Sequence, residues 1–315
     1  MNILVTGGAG FIGSHFVDLA MADPSRRVTV LDALTYAGTR ENLEGHRQDG
    51  RLRLIVGDVA DPEAVREALE GADFAVHFAA ESFVDRSIEA AEPFVRTNVQ
   101  GTLTLLTACR HAGVPMVQVS TDEVYGSIED GAFTEESPIA PNNPYAATKA
   151  AADLLCRSFR ATFGVDVRIL RGTNAYGPRQ HREKAIPVFI AAAFAGSPLP
   201  VYGDGSNRRE WLHVTDFARA VWTVVEQGEP GGVYNAGGGQ EAANVDLARE
   251  FCRLAGASED LVSFVGDRPG HDFRYSMLWE RIAALGWKPA VPFDEGLAGT
   301  VEWFRAHPER LEGSP

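Results

Sequence analysis

Cysteine is scarce in this 315-residue sequence, and the three cysteines lie far apart, at Cys109, Cys156 and Cys252. They form no CxxC pair, which argues against both a disulfide framework and a cysteine zinc site. The eight histidines form no HxxxH or HExxH arrangement. We therefore expect a protein of a reducing compartment, the cytoplasm, with no metal site.

Long hydrophobic runs and an excess of basic charge are also lacking. No apolar run approaches the roughly 18 residues that a membrane span needs, and the amino terminus lacks the basic region of a signal peptide. Lys and Arg number 29 against 43 Asp and Glu, a net charge of −14, which argues against a nucleic-acid partner held by bulk charge. The composition, 45% hydrophobic and 23% charged, is that of a soluble globular protein.

The first half of the chain alternates short apolar segments with segments of helical period, such as 61–70 and 92–112. This rhythm predicts an α/β fold with a doubly wound parallel sheet, the Rossmann architecture. The predicted strands are Asn2–Thr6, Val28–Asp32, Arg53–Val56, Phe74–Phe78 and Val117–Ser120.

Beyond residue 171, Gly and Pro become frequent and the alternation breaks, which predicts a second, smaller α/β domain. We expect a first domain over 1–172 with segments returning near 211–235, among them the strand-like segments 211–214 and 233–237. The second domain would comprise 173–210 and 236–315.

A glycine-rich turn follows the first predicted strand and opens a helix. Glycine there permits a sharp turn and lets backbone N–H groups approach a pyrophosphate. Asp32 ends the second strand about 20 residues later, where a carboxylate accepts bonds from ribose hydroxyls and repels a 2′-phosphate, so NAD is favoured over NADP. Asp58 and Val59 end the third strand, where an adenine could lie. The residues of the turn itself are Gly7, Gly10, Phe11, Ile12 and Gly13.

Tyr145 and Lys149 lie four residues apart on a predicted helix that begins after Asn143 and stops near Gly164, so their side chains share one face. A phenol with its usual pKa of about 10 is a poor base at neutral pH. A neighbouring ammonium favours the phenolate and can also hold a nicotinamide ribose. After a glycine turn, this pair indicates catalysis rather than a surface contact.

These motifs resemble the extended short-chain dehydrogenase/reductase superfamily over nearly the whole chain. Two adjacent carboxylates, Asp122 and Glu123, end a buried strand, where an open α/β sheet places its ligands. With Thr121 they resemble the motif of the dTDP-glucose 4,6-dehydratase family. The resemblance implies that Tyr145 is the oxidation base, Glu123 the base and Asp122 the acid of the elimination, and that Thr121 bonds the sugar oxygen.

The substrate implied by the resemblance is a nucleotide-diphosphate sugar. The superfamily often forms dimers through two helices, which implies a homodimer.

Phe83 and Ala175 depart from the family pattern, which usually has histidine and asparagine there, so the exact sugar and the nucleotide base stay open. An NAD-dependent nucleotide-sugar 4-epimerase and a non-catalytic NAD-binding protein are the alternatives. The matching substrate-binding residues are Ser82, Asn174, Glu183, Lys184, Arg209, Asn235 and Arg268.

Overall fold

The computed structural model describes residues 1–312, and its strands form one large sheet and two small ones. The strands are β1 Asn2–Thr6, β2 Arg27–Asp32, β3 Leu52–Val56, β4 Phe74–His77, β5 Met116–Thr121, β6 Val167–Gly172, β7 Asn174–Tyr176, β8 Leu199–Tyr202, β9 Arg208–His213, β10 Val233–Ala236, β11 Glu241–Ala243 and β12 Val262–Val265.

Helices connect these strands. Their bounds are α1 Phe11–Met21, α2 Pro62–Leu69, α3 Val84–Glu89, α4 Glu92–Phe94, α5 Thr102–Ala112, α6 Pro144–Phe163, α7 Ala185–Ala195, α8 Val214–Gln227, α9 Asn244–Ala255, α10 Glu280–Ala284 and α11 Phe293–Ala306. A π-helical segment, Val95–Gly101, joins α4 to α5. None of the helices within residues 1–312 is both long enough and apolar enough to cross a membrane.

The large sheet has seven parallel strands in the order β3-β2-β1-β4-β5-β6-β10. Apolar residues pack on both of its faces: α1 and α8 contribute to one layer, and α2 and α5 to the other. A parallel sheet covered by helices on both faces is the doubly wound architecture, so the predicted fold class is confirmed.

The strand order reverses between β1 and β4. Chain connections leave these two strands in opposite directions, which opens a crevice at their carboxyl ends where such sheets bind ligands. The glycine turn after β1 and the acidic turn after β5 both lie at this edge.

The two strand-like segments predicted to return to the first domain lie in different sheets. Residues 233–236 form β10 at the edge of the large sheet, beside β6. Residues 211–213 belong to β9, which pairs with β7 and β11 in a separate three-stranded sheet, because its neighbours come from 174–176 and 241–243. The chain returns to the large sheet with α8, which packs on α1. The division into two domains stays a prediction.

Candidate active site

A cleft of about 450 Å³ opens at the carboxyl ends of the central strands, between the large sheet and the segments that follow β6. Its lining contains most of the predicted catalytic and substrate residues together with part of the glycine turn. Among the lining residues are Gly7, Phe11, Ile12, Gly13, Ser82, Thr121, Asp122, Glu123, Tyr145, Lys149, Asn174, Glu183, Lys184, Arg209 and Arg268.

The glycine turn has no room for side chains. Gly7 has φ +69°, and a Cβ atom there would lie 2.6 Å from the backbone nitrogen of Ala79. A Cβ at Gly13 would lie 2.2 Å from the carbonyl oxygen of Gly7. Gly10 caps α1 without a side-chain bond to the first-turn N–H groups, which leaves those groups free to bind a phosphate. The turn therefore fits the pyrophosphate of a dinucleotide.

Asp32 lies directly beside this turn at the end of β2. Its Oδ2 accepts a bond of 2.9 Å from the Ala9 N–H, and its Oδ1 accepts one of 2.9 Å from the Leu34 N–H. Burial raises the pKa of Asp32, and these two N–H groups oppose that change. The carboxylate is thus fixed where the turn would place an adenosine ribose.

Other predicted cofactor residues lie outside the cleft lining. Asp58 forms an ion pair with Arg96 over 2.7 Å and accepts a bond from the Ala60 N–H. Val59 is buried beneath Gly101, where a Cβ would lie 2.5 Å from a Val59 methyl group. The roles of these residues stay predictions.

Helix α6 carries Tyr145 and Lys149 into the cleft. Its start is fixed by Asn143, whose Oδ1 accepts a bond of 2.8 Å from the Ala146 N–H, and by Pro144 at its first position. Lys149 donates from Nζ to the carbonyl oxygen of Val119 over 2.7 Å. Both side chains line the cleft.

The two side chains are buried, and burial shifts both pKa values toward the neutral forms. The pKa of Tyr145 is raised by burial and by the nearby Glu123 carboxylate, whereas burial lowers that of Lys149 to about 8. An ammonium beside the phenol opposes the first of these effects. The roles of Tyr145 and Lys149 in catalysis stay predictions.

The acid pair lies on a 3₁₀ turn, Asp122–Tyr125, that follows β5. Asp122 is almost fully buried and accepts hydrogen bonds from the hydroxyls of Thr121, over 3.1 Å, and Thr173, over 2.9 Å. Burial, and then the charge of Glu123, raise the pKa of Asp122 to about 7. Asp122 can therefore hold a proton at neutral pH.

Glu123 has different surroundings. Burial raises its pKa, but Arg268, a hydrogen bond from Asn143 and the cations Arg209 and Lys184 oppose that change. Positive groups oppose the effect of burial on Glu123, whereas the strongest neighbouring charge acting on Asp122 is the negative one of Glu123. The two surroundings favour a proton on Asp122 over one on Glu123.

Positive side chains line the opposite wall of the cleft. Lys184 donates from Nζ to the carbonyl oxygen of Ser82 over 2.6 Å. Arg209 donates to the carbonyl oxygen of Asp272 over 2.9 Å, and Arg268 forms an ion pair with Asp85 over 3.3 Å. These contacts hold cations at a surface that could receive an anionic substrate.

Two more predicted substrate residues, Asn174 and Glu183, have buried polar atoms facing this region. The Nδ2 atom of Asn174 and the Oε2 atom of Glu183 have no hydrogen-bond partner within residues 1–312. The other carboxylate oxygen of Glu183 contacts Arg86. Both residues line the cleft, so these atoms are available to a ligand.

Asn235, predicted to bind substrate, lies outside the cleft lining, and its role stays a prediction. Asn235 is fully buried in β10; its Oδ1 accepts a bond from the Tyr125 hydroxyl, and its Nδ2 donates to the carbonyl oxygen of Leu278. Both polar atoms of its side chain are thus used inside the protein. Asn244, at the start of α9, lines the cleft instead, and no local motif marks it in the sequence.

The two departures from the family pattern, Phe83 and Ala175, both line the cleft. The Phe83 ring lies 5.4 Å from Lys184 Nζ and 5.9 Å from the Arg86 guanidinium, each measured to the ring centroid. An aromatic face next to cations is a favourable contact. Phe83 therefore forms an apolar wall next to the cation-lined side of the cleft.

A Rossmann sheet with a dinucleotide-binding turn, a Tyr–Lys helix and an acid pair defines an extended short-chain dehydrogenase/reductase of the dehydratase type. Residues 4–300 match the family model described as GDP-mannose 4,6 dehydratase, and the chain belongs to this family.

Relatives at about half identity extend over the full chain. A dTDP-glucose 4,6-dehydratase of Streptomyces niveus is 49% identical over 331 residues, covering 100% of this chain and 98% of the relative. The low-salt glycan biosynthesis protein Agl12 of Haloferax volcanii is 52% identical, covering 96% and 98%. The crystal structure of DesIV, a dTDP-glucose 4,6-dehydratase of Streptomyces venezuelae with NAD and dTDP bound, has a TM-score of 0.97, 51% identity and 99% coverage of each chain.

Proposed function

We propose that this protein is an NAD-dependent nucleotide-sugar 4,6-dehydratase, a hydro-lyase that converts dTDP-glucose to dTDP-4-keto-6-deoxyglucose. The observation that carries the proposal is the acid pair. Asp122, which is buried, and Glu123, which is partly exposed, are adjacent and line the same cleft as Tyr145, and Arg268, Arg209 and Lys184 act on Glu123. Elimination of water needs such a proton donor and such a carboxylate base side by side.

Tyr145 begins the reaction by removing the proton of the hydroxyl on carbon 4. Its own pKa is raised by burial, so the phenolate depends on the ammonium of Lys149. NAD, bound at the glycine turn, takes the hydride from carbon 4 and later returns it to carbon 6, so the cycle has no net oxidation. Thr121, which is adjacent to the acid pair and lines the cleft, would hydrogen-bond the sugar oxygen.

The ketone at carbon 4 makes the proton on carbon 5 acidic. Glu123 takes this proton, and the electron pair forms the carbon 5–carbon 6 double bond as the carbon 6–oxygen bond breaks. Asp122 gives its proton to the departing hydroxyl, which leaves as water. When the hydride adds to carbon 6, Glu123 gives a proton back to carbon 5, and the 4-keto-6-deoxy sugar results. The two carboxyl groups begin the step in the states that their surroundings favour.

The substrate diphosphate would lie against Arg209 and Arg268, which present guanidinium groups to the cleft. Ser82, Asn174, Glu183 and Lys184 would contact the sugar or its first phosphate. The relatives at 47–49% identity named dTDP-glucose 4,6-dehydratases support dTDP as the nucleotide.

Product mass tests the proposal against its alternatives. The purified protein, incubated with dTDP-glucose and separately with UDP-glucose, should convert the dTDP sugar to a product lighter by one water. A 4-epimerase would leave the mass unchanged, and a non-catalytic NAD-binding protein would leave the substrate itself unchanged. A sugar 4-epimerase does not require the acid pair, which is why Asp122 and Glu123 favour elimination.

A homodimer is the proposed assembly. Val95 and Leu154 are each about half exposed, at 50% and 53%, and lie on the π-helical segment and on α6, which pack against each other. The superfamily that this chain resembles often forms dimers through these two helices, and an exposed apolar side chain on each is compatible with such an interface. Light scattering should give twice the chain mass, and Leu154→Glu should give the mass of one chain.

The free thiols of Cys109, Cys156 and Cys252 support a cytoplasmic location.

A further inference from the structure

A fully buried ion pair joins α6, the helix that carries Tyr145 and Lys149, to β6, and the proposed mechanism does not use it. Asp153 on α6 and Arg171 on β6 have side chains that are 0% and 1% exposed, and Asp153 Oδ2 accepts a bond of 2.8 Å from Arg171 Nε. Burying two charges costs more than most such pairs return, so a buried pair needs a reason beyond stability.

The position of Asp153 supplies that reason. Tyr145, Lys149 and Asp153 follow one another at intervals of four residues on α6, so their side chains lie along one face. Only one oxygen of Asp153 is bonded by Arg171; Oδ1 makes no hydrogen bond within residues 1–312. Arg171 is in turn fixed by the Tyr125 hydroxyl, to which it donates over 2.8 Å.

The carboxyl groups of Asp122 and Glu123 line the same cleft as Lys149, whereas the other titratable groups around Lys149 in the core offer no negative charge. His77 on β4 is kept neutral because burial lowers its pKa to about 3. Cys156, on the same helix, and Cys109 of α5 behind it are kept as thiols, because burial raises both pKa values, that of Cys109 to about 12. Among the described residues, the Asp153 carboxylate is the principal group that opposes the effect of burial on Lys149.

We propose that Asp153, held in place by Arg171, is a positioning residue whose charge keeps Lys149 an ammonium next to Tyr145. The consequence for catalysis rests on the proposed function, in which the ammonium makes Tyr145 a usable base. Without the carboxylate, burial would lower the pKa of Lys149 further, so a larger fraction of the side chain would be neutral at neutral pH and would no longer support the phenolate.

The sequence makes a direct test practical, because it contains just three lysines, Lys149, Lys184 and Lys288. Protein loaded with NAD and labelled with carbon-13 at lysine Cε gives three side-chain NMR signals, assigned through single lysine-to-arginine variants. In the wild type, the Lys149 signal should titrate near pH 8. In Asp153→Asn its midpoint should fall by about one pH unit or more, as expected for removing a neighbouring buried charge.

A matched control is Asp166→Asn, which removes the same charge from a partly exposed ion pair with Arg168 and should leave the Lys149 midpoint unchanged. Because Asp153→Asn leaves Arg171 buried and unpaired, the double variant Asp153→Asn/Arg171→Gln is measured as well. It replaces the pair with neutral groups of similar shape and should lower the midpoint in the same direction.

The titration needs no turnover, so it is independent of the substrate assignment. In parallel, the alkaline limb of the rate of NADH formation should move to lower pH in Asp153→Asn. An unchanged Lys149 midpoint in the folded variants, or an equal change in Asp166→Asn, would overturn the role of Asp153. A lowered midpoint in a protein that never releases water from dTDP-glucose would contradict only the proposed function.

Discussion

Asn143 and Glu123 are joined by a hydrogen bond of 3.2 Å from Asn143 Nδ2 to Glu123 Oε2. The other side-chain atom of Asn143, Oδ1, caps α6 by accepting the Ala146 N–H. One side chain thus fixes the start of the helix that carries Tyr145 and also bonds the carboxylate that we propose as the base of the elimination.

Asn143→Asp separates these two functions. Aspartate caps a helix as well as asparagine does, so the melting temperature should stay close to that of the wild type. A second carboxylate facing Glu123 should raise the pKa of Glu123, and the acidic limb of the elimination rate should move to higher pH. On that acidic limb, at pH values below the pKa of Glu123, the rate should fall about tenfold for each unit of that change.

The matched control is Asn143→Ala, which removes the cap and the bond to Glu123 together. It should lower the free energy of unfolding by about 1 kcal/mol without adding a like charge beside Glu123. An Asn143→Asp protein with the wild-type pH profile would show that Asn143 does not act on Glu123.

The buried carboxyl of Asp122 predicts a specific dependence of stability on pH. Its pKa in the folded protein, about 7, lies above its ordinary value of 3.8, so the folded state favours the protonated form. This stabilising contribution is complete below about pH 4 and is lost as the pH rises through about 7. As the pH rises between these limits, the wild type loses this contribution, whereas Asp122→Asn, which cannot ionise, does not. The free energy of unfolding of Asp122→Asn should therefore increase relative to that of the wild type.

Denaturant unfolding at pH 5 and pH 8 measures this difference. Asp166→Asn serves as the control, since Asp166 is partly exposed in an ion pair with Arg168. If the stability of Asp122→Asn differed from that of the wild type by the same amount at both pH values, Asp122 would not be the proton donor that its surroundings indicate.

Cofactor choice depends on Asp32. The wild-type protein should bind NAD far more tightly than NADP, because a carboxylate next to the ribose repels a 2′-phosphate. Asp32→Asn removes the charge but keeps only one acceptor oxygen for the Ala9 and Leu34 N–H groups, which bond separate carboxylate oxygens in the wild type. It should narrow the difference between the NAD and NADP affinities and disturb the glycine turn in part. Asp32→Ala should also narrow the difference between the NAD and NADP affinities and should loosen the glycine turn. Calorimetric titration measures both affinities, and a wild-type preference for NADP would contradict the assignment.

Much of the fold follows from local pattern. The five predicted strands correspond to β1 to β5, and the helix expected between Asn143 and Gly164 is α6. The single helix expected over 92–112 contains a π-helical segment instead, because apolar spacing does not distinguish one hydrogen-bond register of a helix from another.

The site was less predictable where distant segments meet. Asn235 lies in a segment that resembles a binding motif, yet the pairing of β10 with β6 directs its side chain toward Tyr125 and Leu278. The cleft position of Asn244 is likewise set by packing after β11, which its neighbours in sequence do not encode. Adjacent residues, such as Asp122 and Glu123, could be predicted together because one turn carries both.

The most direct test of the proposed mechanism follows a single turnover of dTDP-glucose by Glu123→Gln, with Tyr145→Phe as its counterpart. Glu123→Gln keeps the phenol but lacks the base for carbon 5, so it should accumulate NADH and a 4-keto sugar without releasing water. Tyr145→Phe should form no NADH. Removing a general acid or base typically costs about 100- to 10,000-fold in rate, so the two variants should differ clearly. Elimination by Glu123→Gln at the wild-type rate would contradict the account.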